Sequence, residues 1–358
     1  MTLNEKPYAE SSTWKELRSQ AEVWQSVIAE TRQSGLTAEI LSRNSGTREW
    51  LFVGCGTSFY LAEAAALSWI TLTGEPARAI PASEILLFPE LLKVGASPKQ
   101  AVVISRSGKT SEAVRAAAVL RQTLRIPTIG ITCAQNSELE RECDLTIVLR
   151  AADENSTVMT RSFTSMLVSL QVLAACRAGK TTFLSSLERM AVQFARQIQE
   201  IADRMRTFVE KHEFADYVFL GQGAFHGIAR EAALKVMEMS CSYSQFFHAL
   251  EFRHGPKAIV SPATCLTFFI SETGETAEAE VLSEMKDLGG IIVAICNRAN
   301  DEIRKSTDLL FELDLDADEI ALLAPFVVPC QTMGFFTGLH KGLNPDQPKN
   351  LTRVVILG

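Results

Sequence analysis

Leu51 to Leu67 read LFVGCGTSFYLAEAAAL, and Val218 to Leu234 read VFLGQGAFHGIAREAAL; the two stretches align without a gap. Each opens on an apolar run, turns through Gly-x-Gly and continues with alanines at helical spacing, the pattern of a buried strand feeding a helix. Working outward, the relation persists. ISRSGKTSEA from Ile104 is matched by ISETGETAEA from Ile270, and CDLTIVL from Cys143 by TDLLFEL from Thr307. Three matches in one order, at an offset of roughly 165 residues, mark a duplication. Each copy alternates strand, turn and helix, which predicts parallel βαβ units. AVVIS (101–105) and GGIIVAIC (289–296) are apolar on both faces, as strands are when helices cover both sides of a sheet. The expected fold is therefore α/β, two tandem domains, each a three-layer α/β/α sandwich around a mainly parallel sheet.

The expected boundaries are an N-terminal helix in residues 1–34, a first domain over 35–180, a connecting helix over 181–212, a second domain over 213–342 and a tail over 343–358. Leu187, Met190, Phe194, Ile198, Ile201, Met205 and Phe208 recur at steps of three or four, which predicts one long amphipathic connector. Trp14, Leu17, Ala21, Trp24 and Ile28 mark a second such helix, with Ser12 or Thr13 as its cap. All four tryptophans (14, 24, 50 and 69) precede residue 70 and are expected to be packing residues.

The chain has 358 residues, 47% hydrophobic and 22% charged, enough apolar material for about two globular domains. Its net charge of −7 offers no basic face for DNA or RNA, so no nucleic-acid partner is expected. The start, MTLNEKPYAESSTWKELRSQ, has no apolar core of a signal peptide. The apolar stretch from Ile320 to Phe336 is broken by Pro325, Pro329 and Gln331 and reads as a buried helix rather than a membrane span. Eight cysteines without a C-x-x-C pair or clustered histidines predict reduced thiols, no metal site and a cytoplasmic location.

Ser105-Arg106-Ser107-Gly108-Lys109-Thr110 follows a buried strand and opens a helix, so free backbone N–H groups and the positive helix end meet at the strand's carboxyl edge. Three hydroxyls and a tight glycine turn suit a phosphate, although capping duty alone also explains such a turn. Gly54-Cys55-Gly56-Thr57-Ser58 is a second turn of this kind. In the duplicate, Ser271-Glu272-Thr273-Gly274-Glu275-Thr276 puts carboxylates where Arg106 and Lys109 stand, which opposes an anion. The phosphate grip is therefore expected in the first copy only. In REAALKVMEM, Glu231, Lys235 and Glu238 share one helical stripe, which reads either as a solvated salt-bridged face or as a functional group. His254, followed by Gly255 and Pro256, is a structural histidine or an imidazole held in a fixed direction. A phosphate cradle, a carboxylate and an imidazole together meet the needs of aldose–ketose interconversion through a cis-enediol, with no cofactor.

These motifs resemble the double sugar-isomerase (SIS) domain family over nearly the whole chain. GCGTS (54–58), SRSGKT (105–110), EAALKVME (231–238), EFRHGP (251–256) and DQPKNLTRVV (346–355) resemble the isomerase half of glucosamine-6-phosphate synthase. MTRSFTSM (159–166) and FRHGPK (252–257) also resemble the SIS proteins of amino-sugar catabolism, deaminases and fructosamine deglycases among them. The resemblance implies a flavodoxin-like sheet topology in each domain. It implies that Gly56, Thr57, Ser58, Ser105, Arg106, Ser107 and Thr110 hold the sugar phosphate. Glu238 stands where the family keeps its C1/C2 proton shuttle, with Lys235 beside it, and His254 where it keeps the ring-opening residue. In the synthase that histidine comes from the neighbouring subunit, which implies a homodimer with shared sites. The tail through Asn350 and Arg353 is implied to fold over the sugar.

Two departures set the expected reaction. The synthase's tail lysine appears as Arg353, whose permanently charged guanidinium cannot form an imine. Thr2 stands where the synthase's glutaminase keeps its nucleophilic cysteine, and about fifty residues precede the first strand. The expectation is therefore an isomerase and deaminase of a hexosamine 6-phosphate, with ammonia as product or co-substrate. A fructosamine-6-phosphate deglycase or a simple phosphosugar isomerase is the alternative. A sugar-phosphate sensor without catalysis is disfavoured by the acidic charge and by the lack of a helix-turn-helix ahead of the first domain.

Overall fold

A computed structural model describes residues 8–92 and 97–357; Thr2 lies outside them. Along the chain come α1 (Ser12–Arg18), α2 (Gln20–Gln33), α3 (Gly35–Arg43), β1 (Glu49–Gly54), α4 (Thr57–Thr73), β2 (Ala77–Pro81), α5 (Ala82–Leu87), β3 (Lys99–Ile104), α6 (Ser111–Ala118), β4 (Thr128–Thr132), α7 (Glu138–Glu142), β5 (Leu145–Val148) and α8 (Arg161–Ala178). They are followed by α9 (Thr181–Phe194), α10 (Ile198–Lys211), β6 (Asp216–Gly221), α11 (Ala224–Ser240), β7 (Ser244–Phe247), β8 (Thr264–Phe269), α12 (Glu275–Asp287), β9 (Ile291–Cys296), α13 (Asp301–Lys305), β10 (Leu309–Glu312) and α14 (Leu323–His340).

The chain folds into two compact units. One takes residues 22–155, 161–188 and 352–358 and contains a five-stranded sheet in the order β2-β1-β3-β4-β5. The other takes residues 1–21, 156–160 and 189–351 and contains a five-stranded sheet in the order β10-β9-β8-β6-β7. Every strand pair is parallel. Read from its first strand, each sheet has the flavodoxin-like order 2-1-3-4-5. The duplication read from sequence is thus repeated in topology. It also recurs in backbone detail, because Gly56 and Gly223 cap their helices with φ 53° and ψ of −126° and −130°. A Cβ at the preceding Gly54 or Gly221 would collide with the carbonyl of Ser58 or Phe225, so the helix can start this close to the strand only with glycine there.

In the first unit Leu51, Val53, Ala101 and Val103 point to one side of the sheet and meet Ala113, Ala116 and Leu120. On the other side Phe52 meets Trp69 of α4 at a 5.8 Å ring separation. In the second unit Val218, Leu220, Leu266 and Phe268 pack with Leu282, Met285 and Ile303. There α11 lies close against α14 because α14 offers glycines; a Cβ at Gly334 would sit 2.8 Å from the Lys235 carbonyl oxygen. All four tryptophans are buried. The apolar segment expected as a buried helix is α14, which accommodates Pro329 inside it. By length and apolarity the segment Glu319–His340 could cross a membrane, but 94% of its most apolar window is buried in the fold.

Two helical expectations need correction. The connector is two helices, α9 and α10, separated by a turn at 195–197. The N-terminal amphipathic segment is likewise broken, at Ser19, between α1 and α2. The cap of α1 is Ser11 rather than Ser12 or Thr13, its hydroxyl accepting from the Trp14 N–H at 3.2 Å. Thr13 has another task, since its N–H and hydroxyl both donate to Asp346.

Candidate active site

Within the first unit, β1 and β3 are adjacent and are followed by helices that leave them toward opposite ends of the sheet order. This is a topological switch point, where α/β sheets open a crevice at the carboxyl ends of the strands. The Gly54–Ser58 and Ser105–Thr110 turns flank it. Thr57, Ser58 and Ser105 are buried, whereas Ser107 and Thr110 are partly open. The Ser105 and Thr110 hydroxyls lie 3.4 Å apart. Gly108 takes φ 59°, and a Cβ there would run into the Ser137 side chain.

Arg106 is placed differently from a simple phosphate clamp. Its guanidinium lies 3.5 Å from the buried carboxylate of Glu154 and donates to the Arg353 carbonyl at 2.9 Å. Glu154 in turn accepts from the Ser162 N–H at 3.1 Å and from its hydroxyl. The Arg353 side chain reaches Asp153 at 2.9 Å and the Glu154 carbonyl. Beyond it the Ser111 N–H, in the first turn of α6, donates to the Val355 carbonyl at 3.2 Å, and the Leu357 N–H donates to the Ser111 hydroxyl. The tail from 352 to 357 is therefore fastened beside the phosphate turn. Glu154 and Ser111 carry this arrangement and were not singled out from sequence; neither sits in a pattern that distinguishes it from a surface residue.

In the second unit the charge stripe of α11 is not a solvated face. Glu231 and Lys235 are fully buried, and Glu238 keeps 19% of its side chain exposed. Lys235 Nζ lies 3.3 Å from Glu231 and contacts Glu238 directly. Burial opposes its charge, yet the two carboxylates beside it hold the ammonium above its ordinary range. Glu238 is the member of the three that solvent, and hence a substrate, can reach. His254 is exposed, ends a short 3-10 turn (Glu251–Arg253) and precedes Gly255 at φ 119°. Its neighbours fix the loop, Arg253 and Lys257 both gripping Glu284 at 2.8 and 2.6 Å. No hydrogen bond joins His254 to Glu238 or Lys235 among the described residues.

The duplicate phosphate turn is closed by the protein's own carboxyl groups. Glu278, buried in α12, accepts from the Ser271 N–H at 2.7 Å and its hydroxyl at 3.0 Å. Glu319 accepts from the Thr273 N–H at 3.0 Å and its hydroxyl at 2.7 Å. Glu272 faces Asn297. The repulsion expected from Glu272 and Glu275 thus gives way to direct occupation of the turn by Glu278 and Glu319. Among the described residues no three His, Cys, Asp or Glu side chains gather as metal ligands.

The SIS domain model matches residues 46–176 and 216–337, one match over each sheet. The chain belongs to the SIS domain family. Among its relatives, the isomerizing glutamine–fructose-6-phosphate aminotransferase of Tropheryma whipplei (strain Twist) is 29% identical over 322 residues, 85% of this chain and 51% of that protein. The corresponding enzyme of Methanothermobacter thermautotrophicus is 26% identical over 306 residues, again 85% and 51%. The SIS chain thus spans about half the length of these relatives. Among solved structures, glucosamine-6-phosphate deaminase of Thermotoga maritima superposes with a TM-score of 0.76 at 29% identity, covering 97% of this chain and 100% of that one. Tagatose-6-phosphate ketose/aldose isomerase of Escherichia coli gives a TM-score of 0.86 at 22% identity, covering 99% and 98%, a likeness of fold.

Proposed function

We propose that this SIS protein is a phosphosugar isomerase that converts a hexosamine 6-phosphate into the ketose 6-phosphate and ammonia. The observation that carries the reading is the Glu231–Lys235–Glu238 group, in which a buried ammonium fixes one reachable carboxylate. The likeness to the Thermotoga maritima deaminase over the full length of both chains supports it. The hydroxyls and backbone N–H groups of Gly56, Thr57, Ser58, Ser105, Ser107 and Thr110 grip the phosphate, and Arg106 and Arg353 secure the tail beside them. Glu238 removes the proton from C2 and returns it to C1, so that the C2–N bond becomes an imine. Water then adds to C2 and ammonia leaves. Lys235 holds Glu238 in place and balances its charge. His254, which is exposed and makes no hydrogen bond to Glu238 or Lys235 among the described residues, serves the ring-opening proton transfer in a second copy of the chain, making the working form a homodimer in the cytoplasm.

The test is purified protein with glucosamine 6-phosphate and galactosamine 6-phosphate, reading ammonia and ketose phosphate together. Both products in equal amounts are expected. Ketose without ammonia from an unaminated aldose phosphate would leave only isomerisation, ammonia-free turnover of fructosamine 6-phosphates would favour a deglycase, and silence with every substrate would refute the proposal.

A further inference from the structure

We infer that a cavity at the amino edge of the first sheet is a second binding site, for a small phosphate monoester, distinct from the phosphate turns. The cavity has a volume of about 500 Å³, and Arg43, Gln100, Arg121, Arg125, Thr128 and Asp144 are among the residues that line it. All belong to one compact unit. Gln100 and Thr128 stand at the start of β3 and β4, whereas Ser105 follows the end of β3. At about 3.3 Å per residue, about 16 Å of strand separates Gln100 from Ser105. A ligand here does not compete for the groups that hold substrate phosphate.

The charge of the cavity is set by three guanidiniums against one carboxylate, in a chain whose net charge is −7. Asp144 is already committed: it accepts from the Thr128 N–H at 2.8 Å and hydroxyl at 3.0 Å and lies 3.4 Å from Arg121 Nε. Arg121 also donates to the Glu142 carbonyl at 2.7 Å, which fixes its direction. Arg43 pairs with Glu39 one turn earlier on α3, where both side chains are largely exposed. Arg125 has no ion pair or hydrogen bond among the described residues. Its backbone has φ 57°, a conformation that disfavours side chains by roughly 1–2 kcal/mol, so a long cation stands where glycine is the easier residue.

Gln100 is 1% exposed; its amide N–H groups donate to the carbonyls of Ala101 at 3.0 Å and Pro127 at 2.9 Å, while its Oε1 is buried without a donor. The Gln100 amide is thereby spent on the protein's own carbonyls, and recognition falls to the guanidiniums, which suit a phosphate dianion. The volume is within the range of small-molecule sites.

The experiment is calorimetric titration of the whole protein with glucose 6-phosphate at low ionic strength, using wild type, Arg125→Gly and the double variant Ser105→Ala/Thr110→Ala. The wild type is expected to bind at two sites per chain and the double variant at the arginine cavity alone. Arg125→Gly should lose at least tenfold in affinity at that cavity with an undiminished melting temperature, since glycine takes φ 57° without strain. Binding lost to Arg125→Gly but untouched by the double variant would support this site even if the phosphate turns bind nothing. A single site insensitive to Arg125→Gly, or abolition of all binding by the double variant, overturns it.

Discussion

Glu278 gives the most quantitative prediction. It is buried in the second unit, where burial chiefly, and then Glu319 nearby, push its carboxyl from 4.5 to about 7 in spite of the bonds from Ser271. A carboxyl raised above its unfolded value binds its proton more tightly in the folded state. Its contribution is therefore neutral below pH 4.5 and grows steadily unfavourable as pH rises toward 7, beyond which it is constant. The interval of 7 − 4.5 = 2.5 pH units, at about 1.36 kcal/mol each, amounts to about 3 kcal/mol. Glu278→Gln removes that penalty while keeping an oxygen for the Ser271 N–H and hydroxyl. The variant should thus be about 3 kcal/mol more stable than wild type at pH 8 and within about 1 kcal/mol of it at pH 5. For a unit of this size that is roughly 6–12 °C in melting temperature at pH 8. Scanning calorimetry of both proteins at pH 5, 6, 7 and 8 measures it. A difference that stays flat across that range, or a variant less stable than wild type at pH 8, would refute the reasoning that burial of Glu278 governs this turn.

Other outcomes follow from the same geometry. Glu238→Gln should lower kcat by about 10²–10⁴ with sugar-phosphate affinity changed only a few-fold, if the group transfers the proton; steady-state kinetics and calorimetry read the two separately, and a normal kcat removes Glu238 from the mechanism. Mixing Glu238→Gln with His254→Asn subunits should restore about one quarter of wild-type activity, because half of the dimers then own one intact site; no recovery after subunit exchange would place His254 in its own subunit's chemistry or outside it. Gly334→Ala puts a methyl 2.8 Å from the Lys235 carbonyl oxygen and 2.9 Å from Met239 Cε, which should destabilise by about 1–3 kcal/mol. An unchanged melting temperature would mean that α11 and α14 separate freely.

The sheets were legible because their signals are redundant. A strand that ends in Gly-x-Gly and feeds a helix is specified by apolarity, by turn chemistry and, in this chain, by a second copy. The breaks at Ser19 and 195–197 were not legible: a stripe at steps of three and four survives a one-turn interruption, and neither break carries proline or glycine. The Glu231–Lys235–Glu238 stripe shows the limit for the site. Charges at that spacing look alike whether water or another helix covers them, and here α14 packs on α11, with Gly334 against the Lys235 backbone and Gly338 against that of Met239. Glu278 reads in sequence as an ordinary helix glutamate. Only the fold reveals that its side chain turns back to the Ser271 N–H.

The interleaving of the two units also bears on how the protein is made. The unit holding the phosphate turns is begun at residue 22 but includes residues 352–358, and the other unit begins with residues 1–21 and resumes at 189. On the ribosome, the first sheet must wait through translation of the entire other sheet before the strand of tail that bonds to Arg106 and Ser111 emerges. Splitting the gene between the two sheets would give fragments that each lack a piece of their own unit.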